Sequence, residues 1–189
     1  MNSNKFFAVW GCLFMMVIFS SCDYETKIVQ SWSCDEVLLN QMEAKWNNQK
    51  LSNYCFEYSI SDVMPDAISG IVTVTDGFGS VELIINGLNS SDDGYEEKLK
   101  NYTERKIQID FKSINEIYSY VKFVINNRKQ EYESENLIHY VLNIDYDSEI
   151  SIPSLINETL FYKDDLTEEL VVGKSNGELK IKIYNFSIK

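Results

Sequence analysis

Residues 70–86 read "GIVTVTDGFGSVELIIN", in which two apolar runs flank an Asp-Gly pair. The "IVTVT" run alternates apolar and small polar residues, which is typical of a strand that buries one face. Asp76-Gly77 supplies the positive φ angles that a two-residue hairpin turn requires. Upstream, "YCFEYSIS" at 54–61 alternates in the same way and points Phe56, Tyr58 and Ile60 inward. These stretches predict a meander of three short antiparallel strands.

Two segments carry the signature of amphipathic helices. "SCDEVLLNQMEAKWNNQ" opens with Ser33-x-x-Glu36, a capping box, and continues with apolar residues at helical spacing, which predicts a helix over 34–48. "SINEIYSYVKFVINNRKQ" repeats the design, because Ser113-x-x-Glu116 precedes a second apolar stripe. We expect each stripe to pack on the sheet.

Three more strand-like runs follow the second helix: "LIHYVLNIDYD" from 137, "SLINETLFYK" from 154 and "ELKIKIYNFSI" from 178. The order is helix, three strands, long loop, helix, three strands, which suggests a helix-plus-three-strands repeat. We therefore predict a single α+β domain over 33–189. It would hold an antiparallel sheet of about six strands with two amphipathic helices on one face.

Residues 86–104, "NGLNSSDDGYEEKLKNYTE", lose the periodicity and collect Gly, Ser, Asn and acidic residues, so we predict a long loop there. Its candidate interaction residues are Asp92, Asp93, Tyr95 and Tyr102. The chain is rich in aromatic residues, with 12 Tyr and 10 Phe. Such residues either cover a small sheet or line a recognition surface, and both readings stay open for Tyr102, Tyr118, Tyr120, Tyr132 and Tyr162.

The first 21 residues hold one charge, Lys5, followed by an apolar run of about 14 residues, shorter than the roughly 20 that a membrane-spanning helix needs. This layout predicts a signal peptide over 1–21. The run ends in "FSSC", and small residues before a cysteine are typical of lipoprotein processing sites. We expect Cys22 to be lipidated, to become the mature N-terminus and to be followed by a tether over 22–32. An unmodified Cys22 thiol is the alternative.

The net charge of the chain limits the classes of partner, and its cysteines suggest one candidate disulfide. The net charge is −12, and removal of Lys5 with the signal peptide makes it −13, so nucleic acid is an unlikely partner and the lipid anchor would supply the membrane contact. Cys34 and Cys55 remain as a candidate disulfide in an exported protein. A helix between them would instead place them more than about 15 Å apart, beyond the reach of a disulfide.

No catalytic set is evident from the residue types. His139 is the only histidine, there is no G-x-S-x-G sequence, and a strand pattern places His139 opposite the apolar row. One histidine excludes an H-E-x-x-H zinc site, and two cysteines cannot supply four thiolates. We therefore expect no catalytic residues, no metal and no cofactor.

Several stretches resemble a family of small bacterial lipoproteins to which no activity is assigned. The matching parts are Trp46, "YCFEYSI", "GIVTVTDG", "YDSEISIPSLI" and "IKIYNF", although no glycine lies between Tyr146 and Pro153. The resemblance implies export and an α+β fold. Together with the residue content, it predicts a lipid-anchored protein of the bacterial cell envelope that is a non-enzymatic binding or interaction module. The alternative is an accessory or inhibitor-like subunit that docks on an envelope enzyme.

Overall fold

The fold is α+β, with a mixed sheet and helices packed against it. The computed structural model describes residues 30–61, 67–104, 108–134, 136–162 and 177–189. Within these ranges the helices are α1 (Glu36–Asn48), α2 (Tyr95–Glu104) and α3 (Ile114–Glu133). The strands are β1 (Ser31–Cys34), β2 (Tyr54–Ser61), β3 (Ile68–Thr75), β4 (Phe78–Ile85), β5 (Leu137–Tyr146), β6 (Pro153–Tyr162) and β7 (Gly177–Ile188).

The sheet order is β1-β5-β6-β7-β2-β3-β4. The meander β2 to β4 and the meander β5 to β7 lie side by side and join through antiparallel pairing of β7 with β2. Each meander follows a helix in the sequence, as the predicted layout requires. The sheet is mixed rather than antiparallel because β1 pairs with β5 in parallel, with Trp32 opposite Tyr140.

The hairpin predicted from residues 70–86 is confirmed. Thr75 pairs with Phe78, so the loop contains two residues. Asp76 and Gly77 have φ angles of 51° and 82°, the left-handed conformation expected of an Asp-Gly hairpin. The turn fixes the register, which in turn decides which side chains of β3 and β4 reach the core.

One face of the sheet holds the core. The predicted inward row Phe56, Tyr58 and Ile60 is buried, and the pairs Phe56 with Val72 and Tyr58 with Ile183 carry this face onto neighbouring strands. Buried residues of α1, α2 and α3 belong to the same hydrophobic cluster, which places the helices on this face. The opposite face of the sheet is mostly polar and more exposed to solvent, although Ile71 and Phe78 on it are exposed apolar residues.

Helices α1 and α3 lie antiparallel, and polar contacts along their length connect them. Lys129 Nζ lies 2.7 Å from the Glu36 carboxylate. Lys122 forms an ion pair with Glu43, and each of these two residues is seven positions from its counterpart in the first pair. At the other end, Trp46 Nε1 donates to Asn115 Oδ1 at 2.7 Å. The buried residues of α3 are Ile114, Ile117, Tyr118, Val121 and Ile125, which confirms the predicted stripe.

The start of the domain differs from the prediction. Ser33 and Cys34 lie in β1, and α1 begins at Glu36 with Asp35 as its N-cap, whose Oδ1 accepts from Leu38 N at 2.8 Å. The Ser33 capping box is therefore wrong, because β1 pairing takes Ser33 out of reach of the helix. At the second helix the Ser113 cap is confirmed, with Ser113 Oγ accepting from Glu116 N at 3.2 Å, whereas the Glu116 carboxylate accepts from Lys112 N at 2.7 Å rather than from Ser113 N.

Residues 30–32, predicted as part of the tether, belong to the fold. Gln30 Nε2 donates to the carbonyls of Tyr132 and Leu137 at 2.9 Å and 3.0 Å. The Trp32 ring stacks on Tyr140 with centroids 4.3 Å apart. The folded domain therefore begins before residue 33, because Trp32, within the predicted tether, packs against the core.

The predicted long loop is wrong for its second half, because residues 95–104 form α2. Tyr95 and Tyr102 stand seven residues apart, on one face of this helix, and both are buried. Residues 108–110, beyond α2, do not form a strand, and residues 105–107 lie outside the described residues.

The β5–β6 connection, which lacks glycine, places Ser151 in the left-handed region at φ 57°. Ser151 N donates to Asp147 O at 2.9 Å, and Ser151 O accepts from the Tyr118 hydroxyl at 2.6 Å. These bonds hold a buried serine in a conformation that glycine adopts more readily.

Candidate functional site

A groove of about 480 Å³ runs along α3, within the volume range of small-ligand sites. The described residues that line it lie on one side of the helix and combine aromatic, amide and charged groups. They are Tyr120, Phe123, Val124, Asn127, Arg128, Gln130, Glu131 and Ser134. Phe123 is 57% exposed although it is a large apolar residue.

A buried ion pair lies where α3 meets the sheet beside this groove. Glu158 of β6 is 2% exposed, and its Oε1 accepts from Arg128 Nε at 2.9 Å. The apolar residues Val124, Leu142 and Ile181 line a small void around Glu158. Glu158 points to the core because it sits at an inward position of β6, between Ile156 and Leu160. A carboxylate in such surroundings requires its cation, since an unpaired buried charge is costly.

Glu131 and Tyr162 extend the pair towards the groove. Arg128 Nη1 donates to Glu131 Oε2 and to the Tyr162 hydroxyl, both at 3.0 Å, and Tyr162 donates to Glu131 Oε2 at 2.8 Å. Burial, and then the hydrogen bond to Glu131, raise the pKa of Tyr162 to about 12. The adjacent carboxylates also raise the pKa of Arg128, despite its burial. The guanidinium is therefore held charged between two carboxylates.

Tyr140 lies next to this cluster and is fully buried. Its hydroxyl has no hydrogen-bond partner among the described residues. Burial first, and then the negative charge of Glu158, raise its pKa above the ordinary range of tyrosine. Tyr140 therefore stays neutral across the physiological range.

Sequence reasoning missed Arg128, Glu131 and Glu158. A signal was present, because Glu158 interrupts the apolar alternation of "SLINETLFYK" with a charge at an inward position. A charged residue at such a position is seldom buried without a partner. Of the tyrosines considered for recognition, Tyr120 and Tyr162 do lie at the groove or its charged cluster, whereas Tyr102 and Tyr118 are in the core.

The predicted interaction residues are not brought together on one surface. Asp92 and Asp93 are exposed, and Asp92 Oδ2 accepts from Asn89 N at 2.8 Å. Tyr95 and Tyr102 are in the core, so these two rings are not available to a partner. Cys22, the predicted lipidation site, lies outside the described residues.

The candidate disulfide is not formed. Cys34 and Cys55 are free, on strands separated by four strand spacings of about 4.8 Å each. They also lie on opposite faces, since Cys34 pairs with Leu142 on the core side and Cys55 lies between the inward residues Tyr54 and Phe56. Burial raises the pKa of Cys34 to about 11, which keeps its thiol protonated.

His139 is half-buried on the polar face of the sheet, as the strand pattern predicted. Its Nδ1 contacts the Ser31 hydroxyl, and its ring lies 5.4 Å from that of Phe161. No acidic side chain in the described ranges bonds to this ring, so a Ser-His-Asp arrangement is not assembled there.

Neither a metal-binding cluster nor a membrane-spanning helix is present among the described residues. No group of three or more His, Cys, Asp or Glu side chains among them could hold a metal ion. None of the described helices combines the length and the apolar character that crossing a membrane requires.

Comparison with known proteins gives no relative for this chain. No protein family, no curated protein and no solved structure matches it. The lipoprotein resemblance noted from the sequence therefore remains a prediction.

Proposed function

We propose that this chain is a lipid-anchored protein of the bacterial cell envelope and acts as a non-enzymatic binding module through the groove on α3. The observation that best supports this proposal is the Arg128–Glu158 pair, a buried ion pair at the side of the groove. Replacing such a pair by apolar residues is often neutral or stabilising, so its presence beside a groove favours a role in recognition.

The composition of the groove indicates the kind of ligand. Arg128, Glu131 and Glu158 together carry a formal charge of −1, in a chain of net charge −12, which disfavours anionic ligands. Phe123 offers an exposed ring, and Asn127 and Gln130 offer amide groups that both donate and accept. The groove therefore favours a ligand with a cationic group and an apolar part, such as a basic side chain of a partner protein.

The anchor is supported by "VIFSSC" at 17–22, and it is tested separately from the groove. In intact cells, we expect wild-type protein to fractionate with membranes and to incorporate labelled acyl chains. The Cys22→Ser variant should lose both. If Cys22→Ser stays in the membrane fraction with unchanged acyl labelling, the lipoprotein assignment is wrong.

The groove is tested by capture from detergent-solubilised membranes. A Phe123→Glu variant should lose partners that the wild type retains, because it removes the exposed ring and adds a negative charge. Val37→Glu is the matched control, since Val37 is 68% exposed on α1, outside the groove. Equal capture by wild type and Phe123→Glu would contradict a binding role for the groove. Recovery of one stoichiometric enzyme would favour the inhibitor-like alternative.

A further inference from the structure

Strand β4 forms one edge of the described sheet and carries backbone groups that no neighbour among the described residues uses. In a two-residue hairpin the residues flanking the turn form a hydrogen-bonded pair, so Phe78 faces β3 with its N–H and C=O groups. The alternate residues Gly79, Val81, Leu83 and Ile85 then direct theirs outward. Ile85 confirms this alternation of inward and outward backbone groups, because its N–H donates to Leu88 O at 2.9 Å and its C=O accepts from Leu88 N at 3.0 Å, on the side away from β3.

Gly79, Val81 and Leu83 are therefore left with outward donors and acceptors, and no hydrogen bond between described residues reaches them on that side. Natural edge strands are commonly protected by shortness, Pro, Lys or a bulge. β1, at the opposite edge, has four residues, whereas β4 has eight, with neither Pro nor Lys and with a continuous register. Such an edge is a template for another strand.

The outward groups of β4 complement those of a second β4. If two copies pair antiparallel about a two-fold axis through Val81, Val81 faces Val81 of the second copy, and Gly79 faces Leu83. These are all hydrogen-bonded pairs, and they satisfy the three outward N–H and three outward C=O groups of each chain. A single symmetric register thus uses the free edge in full, as an isologous contact requires.

The side chains agree with this register. Phe78 is 83% exposed, and it would lie directly opposite Ile84 of the second copy. Ser80, whose hydroxyl donates to the Thr73 carbonyl at 3.3 Å, would face Glu82 of the second copy, so that no carboxylate lies directly opposite Glu82. No like charges stand directly opposite each other, which matters for a chain of net charge −12.

We propose that two copies of this chain associate through β4, which makes one continuous sheet across the dimer. The occupant of the edge is a second copy rather than an unrelated peptide, because the pattern of free groups and of Phe78 with Ile84 is self-complementary. This inference does not depend on the lipid anchor or on the groove.

Sedimentation of the full chain in detergent tests the proposal, with the mass of the bound detergent subtracted. Wild type should show the mass of a dimer. Val81→Pro removes a central outward N–H while leaving the bonds to β3 intact, and Phe78→Lys removes the exposed ring, so both should shift the mass to the monomer. Val37→Lys replaces another exposed apolar residue, which lies on α1 away from β4 and outside the groove, and should remain dimeric. Far-ultraviolet circular dichroism checks that each variant is folded.

Cross-linking in cells gives a second readout. In a Cys55→Ser background, Ser80→Cys with Glu82→Cys places thiols on a directly opposed, non-hydrogen-bonded pair, whose Cα separation of about 4.5 Å suits a disulfide. Oxidation should give a covalent dimer on a non-reducing gel. Ser59→Cys with Ser61→Cys, on the central strand β2, should not. A monomeric wild type at all concentrations, or dimers that persist in both Val81→Pro and Phe78→Lys, would overturn the proposal.

Discussion

Gly70 of β3 lies directly beneath the ring of Tyr58 on β2. A Cβ added at Gly70 would meet Tyr58 Cζ at 2.3 Å. The ring cannot move aside easily, because the Tyr58 hydroxyl donates to the Ile109 carbonyl at 2.5 Å and the side chain is fully buried. The missing side chain at position 70 thus provides the space for a tyrosine that fixes residues 109–111 over the sheet.

We therefore expect Gly70→Ala to lower the free energy of unfolding by about 1 to 3 kcal/mol, the usual cost of overpacking a core. Urea denaturation followed by tryptophan fluorescence measures this. Ser69→Ala, at the next position on the polar face of the sheet, is the control and should change stability by less than about 0.5 kcal/mol. Equal stability of Gly70→Ala and the control would mean that the Tyr58 ring is free to shift.

The start of α1 gives a prediction that separates two candidate caps. Asp35→Ala should cost about 1 kcal/mol, because it removes the acceptor for Leu38 N. Ser33→Ala should leave stability almost unchanged, since Ser33 lies in β1. Thermal unfolding of the two variants measures the difference. A larger loss in Ser33→Ala would restore the capping box that the sequence suggested.

Local patterns predicted most of the described elements but missed β1 and α2. The Asp76-Gly77 turn and the Ser113 cap depend on residues close in sequence, so their signals are visible without a structure. β1 is different, because four residues become a strand only by pairing with β5, more than 100 positions away. Helix α2 was mistaken for a loop since two buried tyrosines among acids and lysines make a weak apolar stripe.

The candidate site was predictable in part. Glu158 stands at an inward position of a recognisable strand, so a buried charge could have been inferred from the sequence. Its partner could not, because Arg128 lies on a helix whose rotation over β6 is set by packing of the whole core. The prediction for Asp92 and Asp93 rested only on the amino-acid composition of residues 86–104, and composition does not determine where side chains lie in the fold.

The Arg128–Glu158 pair should be strongly coupled. Arg128→Met leaves a buried carboxylate without its cation, so we expect a loss of about 3 kcal/mol. The double variant Arg128→Met with Glu158→Leu should recover most of that loss, because no charge remains in the core. Denaturant unfolding of the four proteins gives the coupling energy. Additive effects would contradict a direct pairing of the two side chains.

Stability should fall at alkaline pH through the buried tyrosines. The pKa of Tyr162 is raised to about 12, and burial raises those of Tyr58, Tyr118, Tyr140 and Tyr146 as well. A tyrosine whose pKa is higher in the folded state contributes stability that is fully present below its unfolded pKa of about 10. That contribution is lost as the pH rises through the folded value. Tyr162→Phe should therefore make the decline between about pH 10 and 12 less steep, as denaturant unfolding at each pH would measure. A slope identical to that of wild type would contradict the raised pKa.

Strand β1 has a mechanical consequence if Cys22 carries the anchor. A pull from the membrane would act on the N-terminal side of β1, whose four residues pair in parallel with β5. The hydrogen bonds of Gln30 and the stacking of Trp32 on Tyr140 resist detachment of that strand. The domain would thus hang from one edge of its sheet, with the opposite edge the farthest part of the sheet from the point of attachment.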